Sequence, residues 1–208
     1  MFGRGRRDKA HLRLHIGCGD HRLEGWQNID SKALPQVDRV LDIRDGLDYS
    51  DVDAIYAEHF LEHLRFDDGL AFLAECRRVL RPEGILRLST PNLDWVMSTH
   101  YRILIPDPQE GLFDAFRINR AFHGWGHQFL YNRHALTAVL HATGYRDVVF
   151  QRYGESAHEF LRGVEGHETW VDSPDLPHVL VAEASGQTPP KPLPEDWLAE
   201  FRSSITAR

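Results

Sequence analysis

A glycine pair followed by a carboxylate is the first feature of this sequence that could bind a small molecule. Gly17 and Gly19 close an alternating apolar run, residues 12–16, whose apolar side chains would share one face of a β-strand. Because glycine has no Cβ, the chain can turn sharply there and a ligand can lie against its backbone. Asp30 ends the next apolar segment, and its carboxylate could accept two hydrogen bonds from a ribose diol. This arrangement indicates a nucleoside site at the carboxyl ends of strands in an open α/β sheet.

Two nucleoside ligands compete for a Gly-x-Gly loop, a dinucleotide and S-adenosylmethionine (SAM). The dinucleotide fingerprint needs a third glycine, where this sequence has Arg22, and an acidic residue about 20 positions after the loop. Asp30 stands only 11 positions after Gly19. SAM carries no pyrophosphate, so it needs no phosphate cradle at a helix N-terminus. We therefore favour SAM, and the remaining alternative is an ordinary glycine turn after a buried strand.

Residues 59–63 match H-x-x-E-H, a zinc-peptidase pattern. On a helix, His59 and His63 would lie one turn apart and could share a zinc ion. The pattern directly follows a predicted strand inside an α/β array. That position favours one histidine facing the nucleoside and the other capping or packing, so we expect no metal site. A zinc metallohydrolase that uses this pair is the less favoured alternative.

Composition limits the class of protein. The chain has 208 residues, of which 42% are hydrophobic and 26% charged, as expected for one soluble domain with a sizeable core. No apolar run approaches the roughly 18 residues of a membrane span. The net charge of -7 argues against a nucleic-acid partner. Two cysteines, Cys18 and Cys76, are too few for a disulfide framework and lack zinc spacing, which favours a reduced, cytoplasmic protein.

Strands and helices are expected to alternate along most of the chain. Seven strands are predicted, at residues 12–16, 26–30, 39–42, 53–57, 84–89, 145–153 and 178–184. The clearest helix covers residues 67–80, where apolar residues form a stripe at helical spacing: Leu70, Leu73, Cys76 and Leu80. Asn132 is a good N-cap for another helix, and Gly144 suits the position after its end. Two further helical stretches are expected at 94–103 and 111–120.

Three segments are expected. Residues 1–11 form a basic tail, residues 12–184 form the α/β domain, and residues 185–208 form a proline-rich linker with a C-terminal amphipathic helix. Four apolar residues of that helix would share one face: Trp197, Leu198, Phe201 and Ile205. We expect this face to pack on the domain or on a second subunit, and the second arrangement would give a homodimer.

Four short motifs, in order, carry a resemblance to a known family: Leu14–Gly19, Gly25–Asp30, Glu58–His63 and Glu75–Gly84. Their order and spacing resemble the class I SAM-dependent methyltransferases, most of all small bacterial members associated with surface-polysaccharide or other glycan biosynthesis. The resemblance covers roughly residues 12–184. It implies a Rossmann-like α/β sheet, mostly parallel with an antiparallel last strand. It also implies an enzyme that uses SAM and releases S-adenosylhomocysteine (SAH).

The resemblance also implies roles for particular residues. Gly17 and Gly19 would border the methionine part of SAM, Asp30 would take the ribose hydroxyls, and Asp42 with Ile43 would flank the adenine. The strand end at residues 57–59 would pass near the sulfonium. The expected cofactor-binding residues are His15, Gly17, Cys18, Gly19, Asp30, Asp42, Ile43, Ala57, Glu58 and His59.

This sequence departs from the family pattern in three places. His15 stands where many members have an acidic residue, and His21 stands where a third glycine often occurs. The link from Gly19 to Trp26 is also too short for the helix that usually fills a parallel crossover. We therefore expect a shortened first crossover.

Methyl transfer from a sulfonium is an in-line displacement, so the protein must align the acceptor and remove its proton. Alignment alone can supply about 7–11 kcal/mol, and a positioned base typically adds about 10²–10⁴-fold. Histidine suits the role of base because it titrates near neutral pH. The candidates, in order, are His127, His123 and His63.

An aromatic and histidine-rich insertion, residues 93–131, follows the fifth predicted strand. Its aromatic side chains are costly to leave in water, and its glycines could act as hinges. We expect it to form a lid that closes over the acceptor and brings His127 to the methyl group. The aromatic residues that carry this expectation are Phe113, Phe116, Phe122, Trp125 and Phe129.

The acceptor is expected to be a small molecule or glycan rich in hydroxyl groups, methylated on oxygen, with nitrogen and carbon acceptors left open. The expected acceptor-binding residues are Trp125, Tyr131, Glu155, Arg162 and His167, of which the last three belong to a second loop that resembles the family's acceptor side. A non-catalytic SAM-binding protein that acts in assembly is the alternative from another functional class.

Overall fold

The computed structural model of the chain describes residues 11–100, 102, 106–167, 173 and 175–206. The predicted basic tail, except for His11, lies outside these residues. So do the end of the predicted helix at 94–103 and the last two residues of the predicted C-terminal segment. The division into three segments remains a prediction.

The described part of the chain forms seven strands and five α-helices. The strands are β1 (Arg13–Ile16), β2 (Gln27–Asp30), β3 (Arg39–Val40), β4 (Val52–Glu58), β5 (Leu80–Pro91), β6 (Tyr145–Gln151) and β7 (Val179–Gln187). The helices are α1 (Phe66–Val79), α2 (Leu93–His100), α3 (Pro108–His123), α4 (Arg133–Ala142) and α5 (Glu195–Thr206). Short 3-10 turns occupy Ile43–Asp45, Leu61–His63, Gly124–Gly126 and Glu159–Leu161.

All seven strands belong to one sheet, in the order β3-β2-β1-β4-β5-β7-β6. Four neighbouring pairs are parallel: β3 with β2, β2 with β1, β1 with β4, and β4 with β5. Strand β7 is antiparallel to both β5 and β6. The predicted mostly parallel sheet with an antiparallel last strand is therefore confirmed. The shortened first crossover is confirmed as well, because residues 17–26 contain turns and no helix.

Local sequence signals set most element ends. The Asn132 side chain accepts a hydrogen bond from the Ala135 amide and starts α4, as predicted. Gly144 has a φ of 93°, which allows the chain to leave α4 and enter β6. Several boundaries differ from the prediction, and the largest shift is at the start of β5. This strand begins at Leu80 and not at Gly84, because Leu80 is buried and pairs with Val52 of β4.

The two faces of the sheet are covered differently. Helices α1 and α4 cover one face of the sheet. Their own apolar residues, such as Leu73 of α1 and Leu140 of α4, are buried against the strands. On the other face, the crossovers 17–26 and 31–38 are turns, and loop 152–167 takes the place of helices. Leu161 and Val164 of this loop pack with the sheet residues on that face. Turns and this loop therefore cover this face in place of helices.

A row of polar side chains crosses the sheet beneath loop 152–167. Its members lie opposite one another in register and are buried: Asn28, His15, Tyr56, Arg87 and Glu183. The Arg87 guanidinium donates to Glu165 of the loop at 2.7 Å and to Glu183 of β7 at 2.6 Å. It also donates to the Glu155 carbonyl at 3.0 Å. This buried cation therefore fastens the loop to the sheet.

The C-terminal helix α5 packs on the domain itself. The Phe201 ring lies 5.7 Å from the ring of Phe66, and the Arg202 guanidinium lies 2.7 Å from the Asp67 carboxylate. Trp197 is 74% exposed, and Ile205 is exposed too. The expected four-residue face is thus divided, because only Leu198 and Phe201 reach the core. A homodimer through α5 remains a prediction. Among the described residues, no helix is long and apolar enough to cross a membrane.

Candidate functional site

A cavity of about 680 Å³ opens where β1, β2 and β4 end. This volume lies within the usual range of small-molecule sites, and the carboxyl edge of an open α/β sheet is where such sites occur. Residues that line it include Gly17, Asp30, Lys32, Asp42, Ile43, His59, Phe60, His63, Arg65, Trp125 and Gln128. The cavity therefore brings together five of the ten residues expected to bind the cofactor.

The glycine turn after β1 has the predicted backbone. Gly17 and Gly19 have φ values of 67° and 53°, a region that favours glycine. A Cβ on Gly17 would lie 2.4 Å from a ring carbon of Phe60, so glycine is also required there by packing. No heavy atom lies within 4 Å of a Cβ built on Gly19. The backbone at Gly19 is thus open to a ligand.

Asp30 lies at the end of β2 and its side chain faces this turn. One carboxylate oxygen accepts the Gly19 amide at 3.0 Å, and the other accepts the Lys32 amide at 2.9 Å. Each carboxylate oxygen has a second lone pair, so the group can still accept bonds from a diol. The same bonds hold the carboxylate in one orientation, which suits the recognition of a ribose.

Asp42 follows β3 and begins the 3-10 turn at Ile43–Asp45. Its carboxylate accepts the Arg44 amide at 3.0 Å and pairs with the Arg44 guanidinium. This pairing lowers the pKa of Asp42 to about 2, so the side chain remains an ionised acceptor at neutral pH. Ile43 and Leu41 add apolar surface to the same part of the cavity. The combination fits a flat base that carries an amino group.

The chain makes a strained turn after β4. His59 has a φ of 44°, which a residue with a side chain adopts only when its surroundings hold it there. The His59 amide donates to the Ser89 carbonyl at 2.9 Å, and its Nδ1 lies 3.0 Å from a carboxylate oxygen of Glu62. Glu62 is buried, and its other oxygen accepts the Thr90 hydroxyl at 3.0 Å. His59 is thereby fixed at the cavity wall.

The helical arrangement considered for H-x-x-E-H is absent. Because His59 is left-handed and Leu61–His63 forms a 3-10 turn, His59 and His63 do not lie one helical turn apart. The described residues bring together a different set, Glu62, His63 and His127, whose potential ligand atoms lie within 4.8 Å of one another. Sequence reasoning missed this set because His127 is distant along the chain.

His127 is held by two sets of backbone hydrogen bonds. Its Nδ1 lies 2.7 Å from the Ala121 carbonyl oxygen. A carbonyl can only accept, so Nδ1 carries the proton and Nε2 carries the lone pair. The amides of Gln128 and Phe129 both donate to the Glu62 carbonyl, at 2.7 and 3.2 Å. The His127 ring consequently lies 5.2 Å from that of His63.

The insertion at 93–131 forms α2, α3 and the turn Gly124–Gly126, but four of the five aromatic residues expected to be covered are exposed: Phe113, Phe116, Phe122 and Trp125. Phe113 and Phe116 are 61% and 68% exposed. Trp125 lies at the mouth of the cavity, and His123 is exposed at the end of α3, away from the cavity lining. The helices instead pack through smaller residues, such as Val96 and Ala121. Closure of this segment over an acceptor remains a prediction.

Loop 152–167 brings one predicted acceptor residue, His167, next to His59 of the cavity wall, although His167 does not itself line the cavity. The His167 ring lies 5.0 Å from that of His59. Arg162 instead donates to the Ser156 carbonyl and stays exposed, and Glu155 is exposed as well. Neither lines the cavity, so their part in acceptor binding remains a prediction. The loop needs Arg162 for its own shape.

Glu58 was expected near the cofactor, but its carboxylate turns to the opposite face. It accepts the amides of Gly166 at 2.9 Å and His167 at 3.3 Å. Its oxygen also lies 3.7 Å from Nδ1 of His21. Glu58 therefore anchors loop 152–167 where the loop approaches the cavity.

The side chains of four further predicted site residues are buried and do not line the cavity, so their roles in binding remain predictions: His15, Cys18, Ala57 and Tyr131. Ile16 lines the cavity, and strand alternation places His15 on the other face, stacked on Tyr56 at 5.1 Å. Burial lowers the pKa of His15 to about 4 and raises that of Cys18 to about 11, so both stay neutral. Tyr131 packs against Phe129 in the core.

Residues 19–88 match a family model described as a methyltransferase domain. No curated protein matches the sequence. The matched segment contains the ends of β2, β3 and β4, which provide Asp30, Asp42 and His59.

Three solved structures show the likeness of fold. The DhpI–SAH complex is 16% identical over 85% of this chain and 77% of that protein, with a TM-score of 0.50. A SAM-dependent methyltransferase of Thermotoga maritima, described as a possible histamine N-methyltransferase, is 13% identical over 85% and 82%, with a TM-score of 0.54. The 1,6-didemethyltoxoflavin-N1-methyltransferase of Burkholderia thailandensis, solved with its acceptor and SAH, is 15% identical over 86% and 72%, with a TM-score of 0.54.

The chain has the class I methyltransferase fold, as predicted. The domain match at residues 19–88, together with this fold, supports a methyltransferase. This is the enzyme class that the sequence analysis predicted.

Proposed function

We propose that the protein binds SAM in the cavity at the ends of β1, β2 and β4 and methylates an oxygen of a small, hydroxyl-rich acceptor such as a sugar or glycan. One observation carries the proposal. Gly17, Asp30 and Asp42 line a single cavity and follow β1, β2 and β3, which are neighbours in that order in the sheet, as methionine, ribose and adenine are neighbours along SAM.

The residues of the cavity fit the parts of SAM. The backbone at Gly17 suits the methionine part, and the carboxylate of Asp30 suits the ribose hydroxyls. Asp42 and Ile43 suit the polar edge and the flat face of adenine. The sulfonium would then lie near His59, at the end of β4. Bound SAM supplies an activated methyl group, and the protein has to orient it and place the acceptor in line.

The remaining wall of the cavity would hold the acceptor. His63, Trp125 and Gln128 line this wall, and His127 stands behind His63. Imidazole and amide groups can donate and accept hydrogen bonds, and the indole face of Trp125 can stack on a sugar ring. This mixture favours a polar acceptor with hydroxyl groups over a purely apolar one. The acceptor oxygen would form its bond to the methyl carbon as the carbon–sulfur bond breaks and leaves SAH.

Calorimetric titration tests the cofactor site. SAM and SAH should bind in the micromolar range, and NAD should not bind. Asp30→Ala should weaken SAH binding by about 10- to 150-fold, the equivalent of the 1.5–3 kcal/mol of a hydrogen bond to a charged group. Glu24→Ala is the matched control, because the side chain of Glu24 is 90% exposed outside the cavity. Equal affinities of wild type and Asp30→Ala would remove Asp30 from the site.

A turnover screen tests the acceptor class. SAM with a deuterated methyl group is incubated with sugars, amines and carbon acids, and the products are weighed by mass spectrometry. Transfer to sugar hydroxyls supports the proposal. Transfer confined to amines or carbon acids would contradict oxygen methylation and leave the cofactor site intact.

A further inference from the structure

We propose that Glu62, His63 and His127 form a binding site for a divalent cation, and that this cation holds the acceptor hydroxyl beside the methyl group of SAM. Cation binding stands on its own geometry, whereas its use in catalysis rests on the proposed function. The inference replaces the expectation of no metal and gives His127 the role of a ligand instead of a general base.

The donor set is one that divalent cations use. Two imidazole nitrogens and one carboxylate lie within 4.8 Å of one another. The combination of two histidines and one carboxylate is found in catalytic zinc sites and in other open transition-metal sites. Three protein ligands leave positions for water or substrate, which a site that acts on an acceptor needs.

The surroundings hold the donors as they do in known metal sites. A metal-binding histidine usually donates its other ring N–H to a carbonyl or carboxylate, and His127 donates Nδ1–H to the Ala121 carbonyl. This leaves Nε2 with the lone pair that a cation requires. The Glu62 carboxylate is oriented by Thr90 and His59, and each of its oxygens retains a further lone pair. Glu62 and His127 are thus positioned by other groups.

The three donors come from two segments that are joined by backbone bonds. The amides of Gln128 and Phe129 donate to the carbonyl of Glu62 itself. This places His127 next to the turn that carries Glu62 and His63. Because the contact runs through the backbone, substitution of the His127 side chain should leave it in place.

The location links the cation to the reaction. His63 lines the cavity that contains Asp30 and His59, on the side left for the acceptor. A divalent cation lowers the pKa of a bound hydroxyl, so the proton passes to solvent water. The oxygen then forms its bond to the methyl carbon, and the carbon–sulfur bond breaks with its electron pair on sulfur. The products are the methylated acceptor, SAH and one proton, and the cation is unchanged.

The first experiment measures cation binding without turnover. Full-length protein is stripped with a chelator, desalted and titrated with Zn²⁺ or Mn²⁺ in a calorimeter. Wild type should bind one equivalent, and His63→Ala and His127→Ala should each lose saturable binding. His63 is exposed, so its variant should fold even if substitution of the buried Glu62 does not. Thr90→Val should weaken binding by about 10- to 100-fold, as loss of a supporting hydrogen bond does.

His134→Ala is the control for both variants, because His134 is an exposed histidine on α4 outside the site. It should bind the cation as wild type does, and all variants should keep their affinity for SAH. Absence of cation binding by wild type, or equal loss in His134→Ala, would overturn the inference. Unchanged binding in both His63→Ala and His127→Ala would also overturn it.

The second experiment separates the cation site from the proposed function. Stripped wild type should bind SAH normally but should not methylate the acceptor found in the screen, and Mn²⁺ or Zn²⁺ should restore turnover. Full turnover in the presence of chelator would refute the catalytic role of the cation. Cation binding without any binding of SAH would instead refute the proposed function and leave the cation site standing.

Discussion

Arg87→Met tests whether a buried cation holds the loop layer in place. The Arg87 side chain is fully buried, between two carboxylates that are themselves nearly inaccessible, Glu165 and Glu183. Methionine keeps much of the volume but removes the charge and the bonds to both carboxylates. Two buried acids would then have no cation, and loop 152–167 would lose its main attachment to β5.

The expected loss follows from burial. Removing one partner of a buried ion pair typically costs about 3–5 kcal/mol, because an uncompensated charge remains. Against a total stability of about 5–15 kcal/mol, this is a large fraction. With a urea m-value of about 1–3 kcal/mol/M, the midpoint of unfolding should fall by at least about 1 M. Adding Glu165→Gln to Arg87→Met should recover part of the loss, since one of the stranded charges is gone.

The loss should also depend on pH. Burial raises the pKa of Glu165, although Arg87 acts to lower it. Without Arg87 the pKa of Glu165 in the folded state rises further above its unfolded value. A carboxyl of this kind binds its proton more readily in the folded state, so acid favours folding. The difference in stability between wild type and Arg87→Met should therefore shrink as the pH falls from 7 towards 5.

Urea unfolding followed by circular dichroism at pH 7 and pH 5 measures both effects. Arg146→Met is the matched control, because Arg146 pairs with Asp147 on the surface. That pair should contribute less than about 1 kcal/mol. A loss below about 1 kcal/mol in Arg87→Met, or a loss that is the same at both pH values, would refute the reasoning.

Two further predictions concern the first strand and its turn. Gly17→Ala should lower the free energy of unfolding in urea by more than about 1–2 kcal/mol and should weaken SAH binding, because φ is 67° and the new Cβ would meet Phe60. The control is Gly154→Ala, where φ is 74° and the space around the new Cβ is open. This control should show the backbone cost alone. Wild type should lose stability as the pH falls from about 6.5 to about 4, because burial lowers the pKa of His15 to about 4 and only the unfolded chain takes up the proton. In His15→Gln, the free energy of unfolding should change less with pH over this range, by up to about 3 kcal/mol at 1.36 kcal/mol per pKa unit. An unchanged pH dependence would contradict the assignment of this loss of stability to His15.

Much of the fold was predictable because its signals are local. The alternation of residues 12–16 predicted β1, the stripe from Leu70 to Leu80 predicted α1, and Asn132 predicted the start of α4. It was also predictable that Gly17 and Asp30 lie close together. Each follows a short strand, and the carboxyl ends of adjacent parallel strands meet at one edge of the sheet.

Expectation and structure differ where periodicity alone leaves the face of an element undetermined. His15 and Ile16 are adjacent, and only the position of the cavity decides which of them faces a ligand. Tyr131 has the chemistry of an acceptor-binding residue, but the packing of Phe129 and α1 buries it. Phe113 and Phe116 were expected to be covered, and α3 presents them to solvent.

Contacts between distant segments were decided by the tertiary structure alone. The attachment of Glu165 to Arg87, and of residues 166–167 to Glu58, depends on a loop replacing helices over one face of the sheet. The meeting of His63 with His127 depends on two amides that find the Glu62 carbonyl. The sequence periods of 2 residues in a strand and 3.6 residues in a helix determine which side chains share a face of their own element. Which distant element then covers them is set by chain connectivity and by the packing of the whole domain.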